Sequence, residues 1–497
     1  MAVGAAWMVL FKFIDRCTGI VSTLILARLL LPEDFGLIVL ANTVIAMLEI
    51  LGAFGLETAL VQRTDATRHD FDSVWTFNVI FGLSLGLIVG GLAWPTAQFY
   101  NDPRLVLVML VLGLRQAVRG FENVGIISFR KELQFDREFK YLVLTRLTTT
   151  LVFTIPLALV LRNYWALLAG SLAGTCISVI LSYLFHPYRP RPSFAALGRL
   201  MMFSKWLLFT SFIGFIYSRM AHLIVGRWAG PAALGSLSLA SEIASAVTRE
   251  FAAPINRAVF PGYAHLKSDP AELRRSYIKV TSAVILLVMP AGVGLCLLAE
   301  PIVVSLLGDR WREAVDVIRV LALNGVLTVF ISTAHHLNLA AGMSRSTSMV
   351  LAAHAGITIP LMLWLVPTRG SYGAAISMLI ASIVTAPFNF YLLGKAIRFG
   401  FRDLLTLLFR PAVGSLLMAG ALLTVQFHWP TPVILSGQLI YIIVLSLMGA
   451  ALYAGGVFLI WYKQKPTDSA EAWFLEKARC LLLDRRLSRP PQTKANR

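Results

Sequence analysis

Charged side chains interrupt the long apolar stretches of this sequence, and their types and spacing define the chemistry open to it. The basic ones are Lys12, Arg16, Arg115, Arg119, Arg146, Arg219, Arg249 and Arg257, and the acidic ones are Asp15, Glu49, Glu57, Glu122, Glu242 and Glu250. Lys12 and Arg16 are four residues apart, and Arg115, Arg119 and Glu122 follow the i, i+4, i+7 spacing of one helical face. A guanidinium presents a rigid fork of donors that matches phosphate oxygens. Lys12, Arg16, Arg115, Arg119, Arg146, Arg219 and Arg249 are therefore candidates for binding an anionic ligand. Asp15, Glu49, Glu122 and Glu250 are candidates for coupling to an ion or for partnering those cations. Asp15 can simply neutralise Lys12 or Arg16, whereas Glu49, in mid-stretch, could bind a proton or sodium. Arg28, Arg227 and Arg257 lie at stretch ends, where a long stem carries the charge to water. Glu57 reads as a structural partner of a nearby arginine, and His335, His336 and His354 as packing residues.

The elements that carry these residues are apolar runs long enough to cross a bilayer. About 14 spans are expected, near 5–30, 35–61, 72–98, 104–128, 138–161, 164–186, 203–227, 232–259, 277–306, 314–341, 347–367, 371–397, 409–428 and 433–462. Composition agrees: 57% of the 497 residues are hydrophobic, 14% are charged and the mean hydropathy is +0.73. Soluble chains average about 25% charged residues. A charge at the bilayer centre costs at least about 2.5–3.5 kcal/mol, so the charges inside spans must face a wet interior. Most fall in spans 1, 2, 4, 5 and 8, and spans 11 to 14 have none in their interiors. The pattern predicts a cationic vestibule and a purely apolar distal section, which suits an amphiphilic anion.

The net charge of +18 does not signal nucleic acid, because the basic residues sit in short loops. Loops after even-numbered spans carry most of them, including Arg130, Lys131, Arg137, Arg189, Arg191, Arg274, Arg275, Lys395 and Arg398. The positive-inside rule then places both termini in the cytoplasm. No cleavable leader is expected, since Lys12, Asp15 and Arg16 interrupt the first apolar run.

The chain also repeats itself. A shift of 199 residues superposes Arg28 on Arg227, Pro32 on Pro231, Gly36 on Gly235, and Leu40-Ala41 on Leu239-Ala240. Both copies follow an even number of spans, so they are parallel repeats, a common transporter plan. The expected fold is an all-α integral membrane protein with a six-helix lobe over 1–186 and a second over 201–400. A cytoplasmic loop, 187–200, joins them, two helices follow over 401–462, and a basic cytoplasmic tail occupies 463–497. Pro32 should open the second helix, with Glu33 and Asp34 in its first turn. Gly82, Gly86 and Gly90 form a small-residue stripe that admits a close neighbour. Prolines 156, 290, 360 and 387 predict kinks.

Enzymatic signatures are absent. No P-loop, G-x-S-x-G or H-E-x-x-H occurs, and the four cysteines form no C-x-x-C pair, so neither a cofactor nor a metal site is expected. The loops are too short for the outer catalytic loop of a membrane polymerase or ligase. A cation antiporter would want acidic residues rather than arginines in its lumen, and a scaffold gains nothing from intramembrane charge.

The stretch LARLLLPEDFGLIVLANTVIAMLEILGAFGLETALVQR (26–63) resembles the opening hairpin of the polysaccharide transporter family, the Wzx-type flippase branch of the multidrug/oligosaccharidyl-lipid/polysaccharide exporter superfamily. FRKELQFD (129–136), FAAPINRAVFPGYAHLKSDPAELRRSYIKV (251–280) and GDRWREAVDVIRVLAL (308–323) are similar to that family's later loops. The resemblance spans at least residues 5–400. It implies two lobes with alternating access, a cationic lumen, and undecaprenyl-diphosphate-linked oligosaccharide as cargo, as in the colanic acid exporter type. It further implies a bacterial inner-membrane location, contact with membrane lipids, and polysaccharide polymerase or assembly proteins as candidate partners. The lipid II flippases of the superfamily carry an Arg-Asp pair just before the first hairpin arginine. Ser22-Thr23 stand there in this chain, and the acidic-basic pair is Asp15-Arg16, which argues against lipid II as cargo. The leading reading is a flippase for lipid-linked glycan, with an ion-coupled multidrug-type antiporter as the alternative.

Overall fold

Pro32 does open a helix. Its ring fixes a helical φ at a position whose N–H would have no partner in any case. One turn on, the Asp34 carboxylate accepts the Leu31 N–H (3.0 Å) and, from a distant segment, the Tyr164 N–H (3.1 Å). The computed structural model describes residues 2–50, 56, 60, 67–195, 219–248, 252, 255, 259, 262, 263, 266, 269–429, 432 and 434–464. Among them there is no strand. The helices are α1 (Ala2–Leu29), α2 (Pro32–Glu49), α3 (Arg68–Tyr100), α4 (Arg104–Arg119), α5 (Phe135–Leu161) and α6 (Tyr164–Phe185). Then come α7 (Gly230–Val247), α8 (Pro270–Ile302), α9 (Ala314–Ala340), α10 (Ser344–Ile397), α11 (Phe401–His428) and α12 (Leu435–Gln464). Residues 219–228 form a further helical stretch.

Eight described helices are long and apolar enough to cross a membrane. One of them, α10, is two helices that break at Gly370 (φ 57°, ψ −137°). With the charged or shorter α1, α2, α4 and α7 and the 219–228 stretch, the long helical segments among the described residues number fourteen, the count expected. The chain is a multi-pass, all-helical membrane protein.

Within α10 the backbone leaves the helix at Gly370, where the positive φ is free of Cβ strain. One expectation needs correction. The fourth helix stops at Arg119, not near 128, and continues as a turn, a 3₁₀ segment (Val124–Ile126) and a short helix (Ile127–Lys131). Gly120 marks the stop: its backbone lies so close to α3 that an added Cβ would sit 2.6 Å from the Asn78 carbonyl oxygen. Just before Pro156, α5 loosens into a π turn over Thr148–Thr154.

The described contacts divide into two compact units: Met1–Leu239 with Leu306–Ala314 and Leu361–Ala374, and Ala240–Ser305 with Val315–Pro360 and Ala375–Arg497. Lipid is as apolar as the side chains it bathes, so helices associate through close packing rather than through the hydrophobic effect. In the first unit α3 and α4 meet through glycines. A Cβ on Gly82 would lie 2.8 Å from the Gln116 carbonyl oxygen, and one on Gly86 would lie 2.7 Å from that of Gly113. Gly90, the third residue of the expected stripe, makes only ordinary contact with Leu110. In the second unit α8, α11 and α12 share a core of Leu298, Met418, Leu422, Tyr441, Leu445, Tyr453 and Val457. Tyr453 Oη donates to the Leu286 carbonyl (2.8 Å), which satisfies its hydroxyl in the apolar interior.

Candidate functional site

The charges inside the first unit resolve into two groups. On α1 and α5, the Arg146 guanidinium pairs with the Asp15 carboxylate (2.9 Å) and lies against Gly19, where a Cβ would be 3.3 Å from its Nη2. Lys12 is exposed on the same helix as Asp15, and Arg16 is half-buried. On α2 and α4, the Glu49 carboxylate accepts from Gln116 Nε2 (2.6 Å) and from Arg119 Nη1 (3.5 Å). Arg115 is one turn from Arg119, and its Nε is buried with no acceptor among the described residues.

Glu122 does not share the Arg115–Arg119 face that its spacing suggested. The helix ends at Arg119, so Glu122 follows a turn and points to α5 and α6. There it accepts from Tyr141 Oη (2.5 Å) and Ser178 Oγ (3.1 Å). A cavity of about 470 Å³ lies alongside, bounded by α2, α3, α4, the 124–131 segment and α5; Glu49, Arg119, Glu122, Arg130 and Glu138 contribute its charges.

At the Pro32 end of the unit, the two repeated hairpins meet each other. An added Cβ on Gly36 would overlap the Pro231 carbonyl, and one on Gly235 would overlap the Pro32 carbonyl. The sequence repeat is thus a reciprocal contact in space. Beside it the fully buried Trp311 donates its indole N–H to the Ala27 carbonyl (2.7 Å) and meets the Phe35 ring edge-to-face at 5.3 Å. Arg28 Nε donates to the Leu306 carbonyl (2.9 Å).

A family model described as "Polysaccharide biosynthesis protein" matches residues 25–316, more than half of the chain, including Glu49, Arg115, Arg119, Glu122 and Arg146. The chain belongs to that family. Among curated relatives, it is 25% identical to the lipopolysaccharide biosynthesis protein WzxC of Escherichia coli over 65% of this chain and 66% of that one. It is 26% identical to the succinoglycan biosynthesis transport protein ExoT of Rhizobium meliloti over the same shares, so the chain spans just under two thirds of either relative. A Klebsiella pneumoniae membrane protein of the cps region is 23% identical over 79% of this chain and 81% of its own length. Among solved structures, the lipid II flippase MurJ, in an inward closed conformation, superposes with a TM-score of 0.71 at 12% identity, over 92% of this chain and 100% of that one. An inward-facing MATE transporter gives 0.56 at 16% identity, over 77% and 96%. These likenesses show the fold.

Other residues singled out in the sequence stand elsewhere. Arg219 is exposed at the start of its described stretch. Arg249 and Glu250 lie outside the described residues, as do Glu57 and Arg257. His354 is one of the histidines read as packing residues. It meets Thr358 and Ser382 (3.2 and 3.3 Å), and Ser382 donates to Asn324 (2.7 Å), which makes a polar node in the second unit.

Sequence reasoning missed the residues that tie down the linker after α6. The Asp72 carboxylate, 4% exposed, accepts from Tyr188 Oη and from the Arg191 N–H (2.9 Å), while Thr76 Oγ1 accepts the Ser193 N–H (2.9 Å). Asn123, fully buried, donates to the Tyr188 carbonyl (2.9 Å) and accepts the Gly125 N–H (2.9 Å), and its own N–H goes to Ser182 Oγ (3.0 Å). Just past α6, His186 accepts the Tyr188 N–H at Nδ1 (3.2 Å) and faces Ser128 Oγ at Nε2 (3.0 Å). Burial, and to a lesser degree Arg137 and Arg189, hold its pKa below the usual value, with Glu132 opposing. A short polar residue near a helix start was the only local signal, and it is shared by many residues with no such role.

Proposed function

We propose that this protein flips lipid-linked oligosaccharide repeat units, carried on undecaprenyl diphosphate, across the bacterial inner membrane for surface polysaccharide synthesis. The observation that carries the reading is the surplus of cations on α1, α4 and α5. Those helices carry nine lysines and arginines, Lys12, Arg16, Arg115, Arg119 and Arg146 among them, against Asp15, Asp136 and Glu138; among the described residues Asp15 pairs with Arg146, and Glu49 of α2 with Arg119. A buried guanidinium atom with no protein acceptor, as at Arg115 Nε, is a donor awaiting a ligand oxygen. A diphosphate supplies such oxygens in the fork geometry that arginine matches. The relatives named for lipopolysaccharide and succinoglycan synthesis support this class of cargo.

Transport proceeds by alternating access. With both termini cytoplasmic, the Gly36–Pro231 and Gly235–Pro32 contacts close the outer side, and the cationic residues are reached from the cytoplasm. The lipid tail stays in the bilayer while the head group crosses. The test is a deletion of the gene followed by lipid extraction. Accumulation of an undecaprenyl-diphosphate oligosaccharide with loss of surface glycan is the expected result. Unchanged surface glycan with no accumulated lipid intermediate would overturn the proposal and turn attention to small-molecule efflux.

A further inference from the structure

The chain as a whole carries +18, yet the cavity of about 470 Å³ beside α4 is lined by three carboxylates and two guanidiniums. Glu49 is engaged by Arg119 (3.5 Å), and Glu138 Oε1 by Arg130 Nε. That leaves one carboxylate, Glu122, without a cation partner among the described residues, and one oxygen, Glu138 Oε2, without a donor. Glu122 meets hydroxyls only, Tyr141 Oη from α5 and Ser178 Oγ from α6, and has no cation within ion-pair distance among the described residues. Glu138 has a side chain only 5% exposed, and its Oε2 is buried in the cavity wall with no donor among the described residues. A buried carboxylate oxygen with no donor is strongly disfavoured unless a positive species sits beside it. From α3 the cavity receives the neutral Asn78, from α4 Gln116, and from the 124–131 segment no charged group besides Arg130. An anion such as a phosphate is repelled by this wall.

We propose that the cavity is a monovalent-cation site, with Glu138 Oε2 and the Glu122 carboxylate as its anionic ligands and Tyr141 Oη as a neutral one. Arg119, one of the cations assigned to cargo, also lines this cavity, where Glu49 engages it; the proposed ligands are other residues, and the site stands whether or not the cargo is a lipid-linked glycan. The cation is sodium or a proton, and either neutralises the same uncompensated charge. The site lies between helices whose packing a conformational change would alter, so occupancy and conformation would be coupled.

The test uses the purified full-length chain in detergent, with thermal unfolding followed at constant ionic strength. A ligand that binds only the folded state raises Tm with its concentration. Sodium exchanged for choline should raise Tm in a saturable way for the wild type and not for E138Q or E122Q. If sodium has no effect but Tm rises from pH 8 to pH 6 in the wild type and not in either variant, the cation is the proton and the site stands. E122Q breaks no ion pair and keeps the experiment readable if E138Q, which strands Arg130, fails to fold. Equal responses of wild type and E122Q to both sodium and pH would overturn the proposal. Because the readout is binding, loss of this site and loss of the flippase reading are distinguishable.

Discussion

Replacing Gly36 by alanine tests the hairpin seam directly. The added methyl would overlap the Pro231 carbonyl, a backbone atom that no rotamer change can move aside. Carbon–oxygen contacts need about 3.3 Å, so α2 and α7 must part by about 1–2 Å. Overpacking of this kind costs about 1–3 kcal/mol. The cost falls on the closed seam alone if the seam opens during transport, which shifts the closed-to-open ratio about 5–150-fold. The reporter is Ala27→Cys, a fully buried position whose carbonyl receives the Trp311 indole, in a background with the four native cysteines replaced. An impermeant maleimide applied outside intact cells should label it slowly in the parent and about 5–150-fold faster with G36A. G235A, which strikes the Pro32 carbonyl, should act in the same direction. Unchanged labelling in both variants, at normal membrane levels, would refute the idea that this contact is an outer gate.

Three further outcomes follow from the same geometry. Arg115→Ala should weaken cargo binding by about 1.5–3 kcal/mol, the worth of a hydrogen bond to a charged group, or roughly 10–150-fold in affinity. Arg115→Lys should recover part of it, and normal glycan export by R115A would remove Arg115 from the site. Asn123→Ala strands buried partners of the linker and should cost about 1–3 kcal/mol, read as a lower Tm and faster hydrogen exchange at Tyr188 and Gly125. For His186 the folded pKa is depressed, so its neutral form supports the fold above the unfolded value near 6.5. That support declines as pH falls below about 6.5, and the protection factor of the Tyr188 amide, its exchange corrected for the pH dependence of the intrinsic rate, should fall between pH 7.5 and 5; the same fall in His186→Gln would show that another group is responsible.

Much of this architecture is written locally in the sequence. Apolar runs of bilayer length are a one-dimensional signal, because every backbone group within lipid must bond inside its own helix. The Arg28/Arg227, Pro32/Pro231 and Gly36/Gly235 coincidences mark the two hairpins for a similar reason: turn and helix-start residues act on their own neighbourhood. The sequence also shows which spans carry charge, since intramembrane charge is costly enough to be rare.

Tertiary structure decided what those residues touch. Helical spacing put Glu122 beside Arg119, but the approach of Gly120 to the Asn78 carbonyl comes with the end of the helix one residue after Arg119 and turns Glu122 toward Tyr141. The pairing of Arg146 with Asp15, and of Glu49 with Gln116 and Arg119, depends on which helices are neighbours, and periodicity carries no such information. The same holds for Asp72 and Asn123, whose partners on the linker are more than 60 residues away in the chain. The reciprocal glycine contact between the two hairpins is the clearest instance. Sequence determined that each hairpin has a proline and a glycine four residues apart; only the fold decided that each glycine is there to admit the other hairpin's proline carbonyl, because close approach is a property of two surfaces and not of one.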